Sequence, residues 1–126
     1  MALVHATSVR NSVADLIVDL IDAGSGAGVI KFYTNGDVLM GAGTFLDPAF
    51  AAAASGSATL SPGAIVATIS LAGTNVMAKF KIEDSAANEV FNGTVATSGG
   101  DINLTSVTFQ QNDSLTINSL TYTAMP

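Results

Sequence analysis

The sequence predicts a mainly β fold: an antiparallel β-sandwich or jelly roll of about eight strands with one N-terminal α-helix. Hydrophobic residues recur at helical spacing only near the N-terminus, and from Gly28 onward apolar and polar residues alternate in short runs between turn-forming residues. No internal repeat is visible, which disfavours solenoids and propellers. The 126 residues match the length of a single domain. We divide the chain into an arm (1–7), a helix (8–23) and a β-sandwich (28–124).

The predicted helix has a start signal, an end signal and an apolar face. Thr7 or Ser8 is suited to cap its start, and Gly24 is suited to end it. Apolar side chains recur three or four positions apart and so share one face: Val9, Val13, Leu16, Ile17, Leu20 and Ile21. We expect this face to pack on the sheet of the same chain. The alternative is a helix that docks on a partner.

The first two strands form a predicted hairpin. Residues 29–34 lead into Asn35-Gly36, the strongest short hairpin signal because both residues tolerate positive φ, and residues 37–45 return. Gly41 and Gly43 lie within the returning strand, where glycine often marks a bulge or a close approach of another backbone.

Six further strands are predicted from alternating runs and the turns between them. They cover residues 58–60, 64–71, 76–82, 89–95, 102–109 and 115–123. In the clearest of these, Ile65 and Ile69 face one way while Val66 and Thr68 face the other. In the last run, the alternation of apolar and polar residues changes phase midway, so we expect a bulge near residues 118–119.

The chain carries unusually few charges. Asp, Glu, Lys and Arg make up 11% of it, against about 25% in an ordinary domain. The net charge is −6, with Arg10, Lys31, Lys79 and Lys81 as its cations, so we expect neither nucleic acid nor membrane as a partner. Such a surface is either made of small neutral residues or covered by other protein.

No group of residues predicts catalysis or a bound cofactor. The chain has no Cys and one His, His5, so neither a thiolate nor a histidine-based zinc site is indicated. The turns at Asp84 and Asp101 are expected to be Asx turns rather than calcium sites. The glycine-rich residues 24–28 follow a helix and lack the Gly-Lys-Ser/Thr of a phosphate loop. We therefore expect no enzyme activity, no cofactor and no metal.

Several short motifs occur in a characteristic order after the N-terminal helix. They are Gly28-Val29-Ile30-Lys31-Phe32-Tyr33, Thr44-Phe45-Leu46-Asp47-Pro48-Ala49-Phe50, Ala78-Lys79-Phe80-Lys81-Ile82-Glu83-Asp84, Val90-Phe91-Asn92-Gly93-Thr94-Val95, Asp101-Ile102-Asn103-Leu104 and Leu120-Thr121-Tyr122-Thr123-Ala124. In this order, and over nearly its whole length, the chain resembles a group of small proteins of tailed bacteriophages and prophages. Some members of that group are similar to capsid cement or decoration proteins.

The resemblance implies a non-enzymatic virion protein. Such a subunit binds the outside of an icosahedral phage head as a homodimer or homotrimer and bridges neighbouring major capsid proteins. It would be made in the cytoplasm of the host bacterium and located on the capsid exterior, which fits the lack of a secretory signal at residues 1–7. The alternative is another virion component, a tail, fibre or head-fibre module that binds the host surface.

The two chain ends supply the candidates for partner contact. Leu3, Val4 and His5 precede the helix with no turn to fold them back on the body, and Met125 lies near the C-terminus. The alternative for these residues is a frayed terminus.

Overall fold

The structure, a computed structural model, describes residues 4–23, 26–46, 49–60, 65–117 and 120–123. Helix α1 (Thr7–Asp19) continues into a short 3-10 turn (Leu20–Asp22). Ala6 occupies the N-cap position without a side-chain hydrogen bond to the helix. The predicted capping by Thr7 or Ser8 was therefore wrong, and Thr7 belongs to the helix rather than to the arm. The predicted end at Gly24 lies outside the described residues.

Eleven strands follow in the described residues. They are β1 (Val29–Tyr33), β2 (Leu39–Thr44), β3 (Ser57–Thr59), β4 (Ile65–Ile69), β5 (Thr74–Val76), β6 (Lys79–Glu83), β7 (Glu89–Ala96), β8 (Ile102–Asn103), β9 (Thr108–Gln110), β10 (Ser114–Ile117) and β11 (Thr121–Thr123). In β4 the side chains alternate between buried and exposed, as predicted.

Seven of the strands form one curled sheet in the order β10-β4-β2-β1-β6-β7-β8, and β3–β11 and β5–β9 form two-stranded ribbons. With its single N-terminal helix, this arrangement confirms the predicted mainly β, sandwich-like fold. One pair departs from the expected antiparallel pairing, because β8 runs parallel to β7.

The β1–β2 hairpin is confirmed, but its turn differs from the predicted one. The positive φ falls on Asp37 (65°) rather than on Asn35 or Gly36. The Asp37 N–H donates to the Thr34 carbonyl and the Thr34 N–H donates to the Val38 carbonyl. These bonds close a three-residue loop whose last residue is left-handed, the next commonest hairpin connection after the two-residue turn.

Gly41 marks a close approach, as expected from the sequence. A Cβ atom on Gly41 would collide with the backbone carbonyl of Thr68 on the neighbouring strand β4. Strands β2 and β4 therefore approach closely at a position where only glycine fits.

Three predicted strands each divide into two strands that belong to different sheets. Within residues 76–82, the Met77 N–H donates to the Val107 carbonyl while the Ala78 N–H donates to the Tyr33 carbonyl. The chain thus changes its pairing partner between two adjacent residues, and Val76 is exposed. Residues 102–109 and 115–123 divide in the same way. The bulge predicted at residues 118–119 lies outside the described residues.

The hydrophobic core is one cluster that includes side chains from α1 and from the curled sheet. Helix α1 lies against β3 and β11. The largest fully buried side chains are Phe32, Ile21, Ile30, Met40, Ile69, Met77, Ile82 and Val18. Most come from β1, β2, β4 and β6, so the centre of the sheet holds the centre of the core.

Candidate interaction surface

Helix α1 is attached to the body through its polar side. Three side-chain oxygens of α1 and of the 3-10 turn that continues it accept hydrogen bonds from backbone N–H groups of the segment 49–56: Asn11 Oδ1 from Gly56 at 2.7 Å, Asp15 Oδ1 from Ala53 at 2.7 Å and Asp22 Oδ1 from Ala49 at 3.0 Å. This segment lies outside the named strands, so its backbone donors need partners from elsewhere. Residues of the helix and its 3-10 turn supply three of them, and Thr59 and Ser57 accept from Ala51 and Ala54.

Three apolar residues of the core also lie on this inner side. Ala14, Val18 and Ile21, spaced by four and three positions, are fully or almost fully buried. Nearby, a Cβ atom on Gly56 would lie 2.5 Å from Cζ of Arg10, and Gly56 has φ +80°. The helix and the segment 49–56 are therefore in close contact, and a larger residue at Gly56 would have to displace the Arg10 guanidinium.

The opposite side of α1 carries an exposed row of aliphatic side chains, here named the outer stripe: Val9, Val13, Leu16 and Leu20. Their exposed fractions lie between 41% and 63%, the largest being that of Leu16. At about 100° per residue, the stripe and the buried row Ala14, Val18 and Ile21 fall on roughly opposite sides of the helix. The expectation that the predicted apolar face packs on the sheet was wrong for these four residues. Of the six, Ile21 is buried and Ile17 is half-buried.

A shallow groove runs beside the outer stripe. It has a volume of about 320 Å³ and is lined by Ser8, Val9, Ser12, Val13 and Leu16. The Ser12 hydroxyl donates to the Ser8 carbonyl at 3.1 Å, so its hydrogen is used within the helix. The groove is therefore suited to an apolar side chain.

Two of the predicted contact residues lie at the N-terminal end of this surface. Val4 is 77% exposed, and His5 is also exposed. Both directly precede the first turn of α1. The other two candidates, Leu3 and Met125, lie outside the described residues.

A second surface feature is an open depression on the sheet. It has a volume of about 400 Å³, and its lining includes Phe91, Asn92, Asp101 and Tyr122. The rings of Phe91 and Tyr122 lie 5.3 Å apart with an interplanar angle of 41°. The Asp101 carboxylate accepts hydrogen bonds from the backbone N–H and the hydroxyl of Thr94. The depression thus combines aromatic rings with polar side chains.

The three lysines on β1 and β6 are each close to a carboxylate. The distances are 2.8 Å for Lys31–Glu83, 2.9 Å for Lys79–Asp37 and 3.8 Å for Lys81–Glu89. The hydrogen bond to Glu83 raises the pKa of Lys31, and the hydrogen bond from Lys79 lowers the pKa of Asp37. The Lys81 ammonium also lies 5.1 Å from the ring centre of Tyr33. This part of the sheet therefore presents ion pairs rather than a positive patch.

The turn at Asp84 is an Asx turn, as predicted. Its carboxylate accepts hydrogen bonds from the backbone N–H groups of Ala86 and Asn88, and the bonds from Asn88 and Ala86 lower the pKa of Asp84. Among the described residues, no three His, Cys, Asp or Glu side chains are grouped so as to hold a metal ion. Within the same residues, α1 is too short and too polar to span a membrane.

One signal in the sequence pointed to the outer stripe. Its members are spaced by four, three and four positions, the spacing of the seam between two paired helices. That spacing is shared with helices that pack on their own sheet, so it did not decide which surface covers the stripe. No family model, curated protein or solved structure matches the chain.

Proposed function

We propose that this protein is a non-enzymatic structural subunit of a tailed-phage virion, which binds the outside of the icosahedral head and bridges neighbouring major capsid proteins. The observation that carries the proposal is the outer stripe, a row of exposed aliphatic side chains on a chain with only 11% charged residues. Large contiguous apolar patches on a soluble protein mark surfaces that other proteins cover. An assembly role is the simplest use of such a surface.

The electrostatics of the chain favour attachment to a protein shell. Burying a charge in an interface carries a desolvation penalty, and interface cores are poor in charged residues. A surface with few charges lowers that penalty. A net charge of −6 also disfavours contact with the phage genome, which suits a location on the capsid exterior after synthesis in the bacterial cytoplasm.

The contact with the capsid protein is assigned to the chain ends. Val4 and His5 are exposed and extend from the start of α1, and Leu3 and Met125 are proposed to join them. The outer stripe would then remain available for a second contact, so that one subunit links more than one neighbour.

Two measurements test the proposal. Mass spectrometry of purified virions should find hundreds of copies per particle, and the purified protein should cosediment with heads from a deletion phage that lacks it. Val4→Asp should reduce cosedimentation at least tenfold, whereas the matched control Val76→Asp, at a position 56% exposed on β5, should not. Absence of the protein from virions would contradict the proposal.

The second candidate, a host-surface binding module of the tail or fibre, is favoured by the depression that contains Phe91, Asn92, Asp101 and Tyr122. Aromatic rings with nearby amide and carboxylate groups are suited to a sugar. However, Phe91 and Tyr122 pack on each other, which leaves less ring surface for a ligand. NMR titration with host surface glycans, with Tyr122→Ala as the control, would support this candidate if shifts concentrate at these residues and disappear in the variant. A copy number of a few tens or fewer would also favour it.

A further inference from the structure

We propose that the outer stripe is the contact between two copies of this chain, whose α1 helices pack antiparallel about a two-fold axis between Val13 and Leu16. The inference depends on the proposed assembly role in one respect, because both take the outer stripe to be covered by protein. It goes beyond that role by naming the occupant, its orientation and its register.

The spacing of the stripe fits a helix pair. Val9, Val13, Leu16 and Leu20 recur at intervals of four, three and four residues, which is the a/d pattern of a coiled-coil seam. The stripe lies on the side of α1 turned away from the core residues Ala14, Val18 and Ile21. The stripe is therefore exposed to a second helix rather than covered by its own body.

The groove beside the stripe has the shape of the hole in such a seam. In knobs-into-holes packing, one side chain inserts between four residues of the facing helix. Val9, Ser12, Val13 and Leu16 line the groove and occupy these four positions. In the antiparallel pair, Val9 lies opposite Leu20 and Val13 lies opposite Leu16. The side chain that inserts into this hole as the knob is then Leu16 of the second copy. Leu16 is the most exposed member of the stripe, and the two-fold axis makes the contact reciprocal.

The same register matches side-chain sizes. It places the smaller Val9 and Val13 opposite the larger Leu20 and Leu16, so that every layer contains one valine and one leucine. A parallel pair would instead combine two valines in some layers and two leucines in others. The antiparallel pair therefore has uniform layers, which favours even packing.

The position of Asp19 on one flank of the stripe also favours the antiparallel pair. On one flank, Asp19 comes to lie near Ser12 of the second copy, so that no two carboxylates face each other, while the Arg10 guanidinium stays beside Gly56 of its own chain. The first turn of α1 contains no acidic residue and no side-chain cap. Asp19 of the second copy supplies negative charge near that positive end of the helix dipole. A parallel pair would align the two dipoles unfavourably.

The size of the contact sets its strength. A 13-residue helix is about 20 Å long, and its outer side is smaller than the roughly 800 Å² per partner of a standard interface. We therefore expect a weak, concentration-dependent dimer in solution. Many copies on one shell would raise the effective concentration and favour the pair.

Sedimentation velocity from micromolar to millimolar concentration tests the dimer. The wild-type protein should shift from one to two chain masses, and Leu16→Glu should weaken association at least tenfold while melting at the wild-type temperature. The matched control is Val66→Glu, at a position 55% exposed on β4, which should dimerise like the wild type. A wild-type protein that stays monomeric over the whole range would overturn the proposal, as would a Leu16→Glu protein that dimerises as tightly.

Crosslinking tests the orientation, because the chain has no native Cys. Val9→Cys mixed with Leu20→Cys should be joined by a short bismaleimide, whereas each variant alone should give at least tenfold less product. If each variant alone gave more crosslinked product than the mixture, the antiparallel arrangement would be overturned.

The two proposals fail separately. A protein that dimerises through α1 but neither binds phage heads nor occurs in virions contradicts the proposed function and leaves the dimer intact. A protein that coats heads as a monomer supports the function and overturns the dimer.

Discussion

The two sides of α1 differ in how they depart from the usual rule for a surface helix, since hydrogen-bonding side chains accompany the buried apolar residues on one side and aliphatic residues are exposed on the other. The inner side faces the body and carries Asn11, Asp15 and Asp22, whose side-chain oxygens accept hydrogen bonds from segment 49–56. The outer side faces solvent and carries the four aliphatic residues of the outer stripe. The buried side of this helix is therefore selected by the hydrogen-bonding groups of the segment it covers as well as by hydrophobicity.

Approximate free energies explain both the hydrogen bonds on the inner side and the exposure of the outer stripe. A buried backbone N–H left without an acceptor costs about 1–3 kcal/mol, so three such donors oppose turning the helix over. Full burial of one Val or Leu side chain contributes about 1.5–3 kcal/mol. The outer stripe is about half exposed and forgoes part of that gain in the isolated chain. A second copy that covers the stripe recovers it.

The largest expected effect is on the inner side. Val18→Asp places a carboxylate at a position that is 2% exposed, and an unpaired buried charge costs several kcal/mol. Because a domain is stable by only about 5–15 kcal/mol, we expect the variant to be largely unfolded, as measured by circular dichroism. A cooperative melt near the wild-type temperature would show that the inner side is not closely packed.

Gly56→Ala tests the contact between α1 and segment 49–56. The positive φ alone costs about 1–2 kcal/mol, and the new methyl group would displace the Arg10 guanidinium. Gly73→Ala is the matched control, because Gly73 has φ +81° but nothing within 4 Å of the added Cβ atom. Denaturant titration should therefore find Gly56→Ala less stable than Gly73→Ala. Equal losses would contradict the close contact with Arg10.

Asp15→Ala removes the acceptor of the 2.7 Å hydrogen bond from Ala53. We expect a loss of about 1–3 kcal/mol in the free energy of unfolding, because the backbone donor is left without its partner. Asp15→Asn keeps an acceptor oxygen and should recover part of this loss. Asp19→Ala, on the exposed flank, should change stability by less than about 0.5 kcal/mol. An equal loss of unfolding free energy for Asp15→Ala and Asp19→Ala would contradict the distinction between the inner and outer sides of α1.

A smaller, pH-dependent effect belongs to the turn at Asp84, away from the helix. Since hydrogen bonds from Asn88 and Ala86 lower the folded-state pKa of Asp84, its contribution to stability is present above the unfolded-state pKa of about 3.9. It is lost as the pH falls through the lower folded-state pKa. Asp84→Asn does not titrate, so acid titrations monitored by fluorescence should show a steeper loss of stability below about pH 4 for the wild type than for the variant. Parallel curves would contradict this role.

The smallest effect is expected on the outer side. Leu16→Ala should change the unfolding free energy of the dilute monomer by less than about 0.5 kcal/mol, because the side chain is 63% exposed. A thermal melt at micromolar concentration measures this. A loss of about 2–5 kcal/mol would be typical of a core leucine and would place Leu16 against its own sheet.

Much of the local structure could be predicted from the sequence, because it depends on neighbouring residues. The alternation in β4 and the hairpin of β1 and β2 are local patterns, and both are present in the structure, although the turn of the hairpin differs from the predicted one. The position of α1 also follows from spacing within one segment. Prediction failed where two patterns compete within one segment. One side of the helix carries the aliphatic outer stripe and the other carries both apolar and hydrogen-bonding residues, and spacing alone does not decide which side is buried.

The sequence by itself determined the fold class, the position of the helix and the scarcity of charge, because these follow from composition and short-range periodicity. Tertiary structure decided which side of α1 is buried, since the backbone donors of segment 49–56 meet Asn11, Asp15 and Asp22 only after the chain has folded. It also decided where residues 76–82 change partners, because that depends on the distant carbonyls of Tyr33 and Val107. Contacts between residues far apart in the chain leave no short-range pattern, and in this protein they place the outer stripe on the surface.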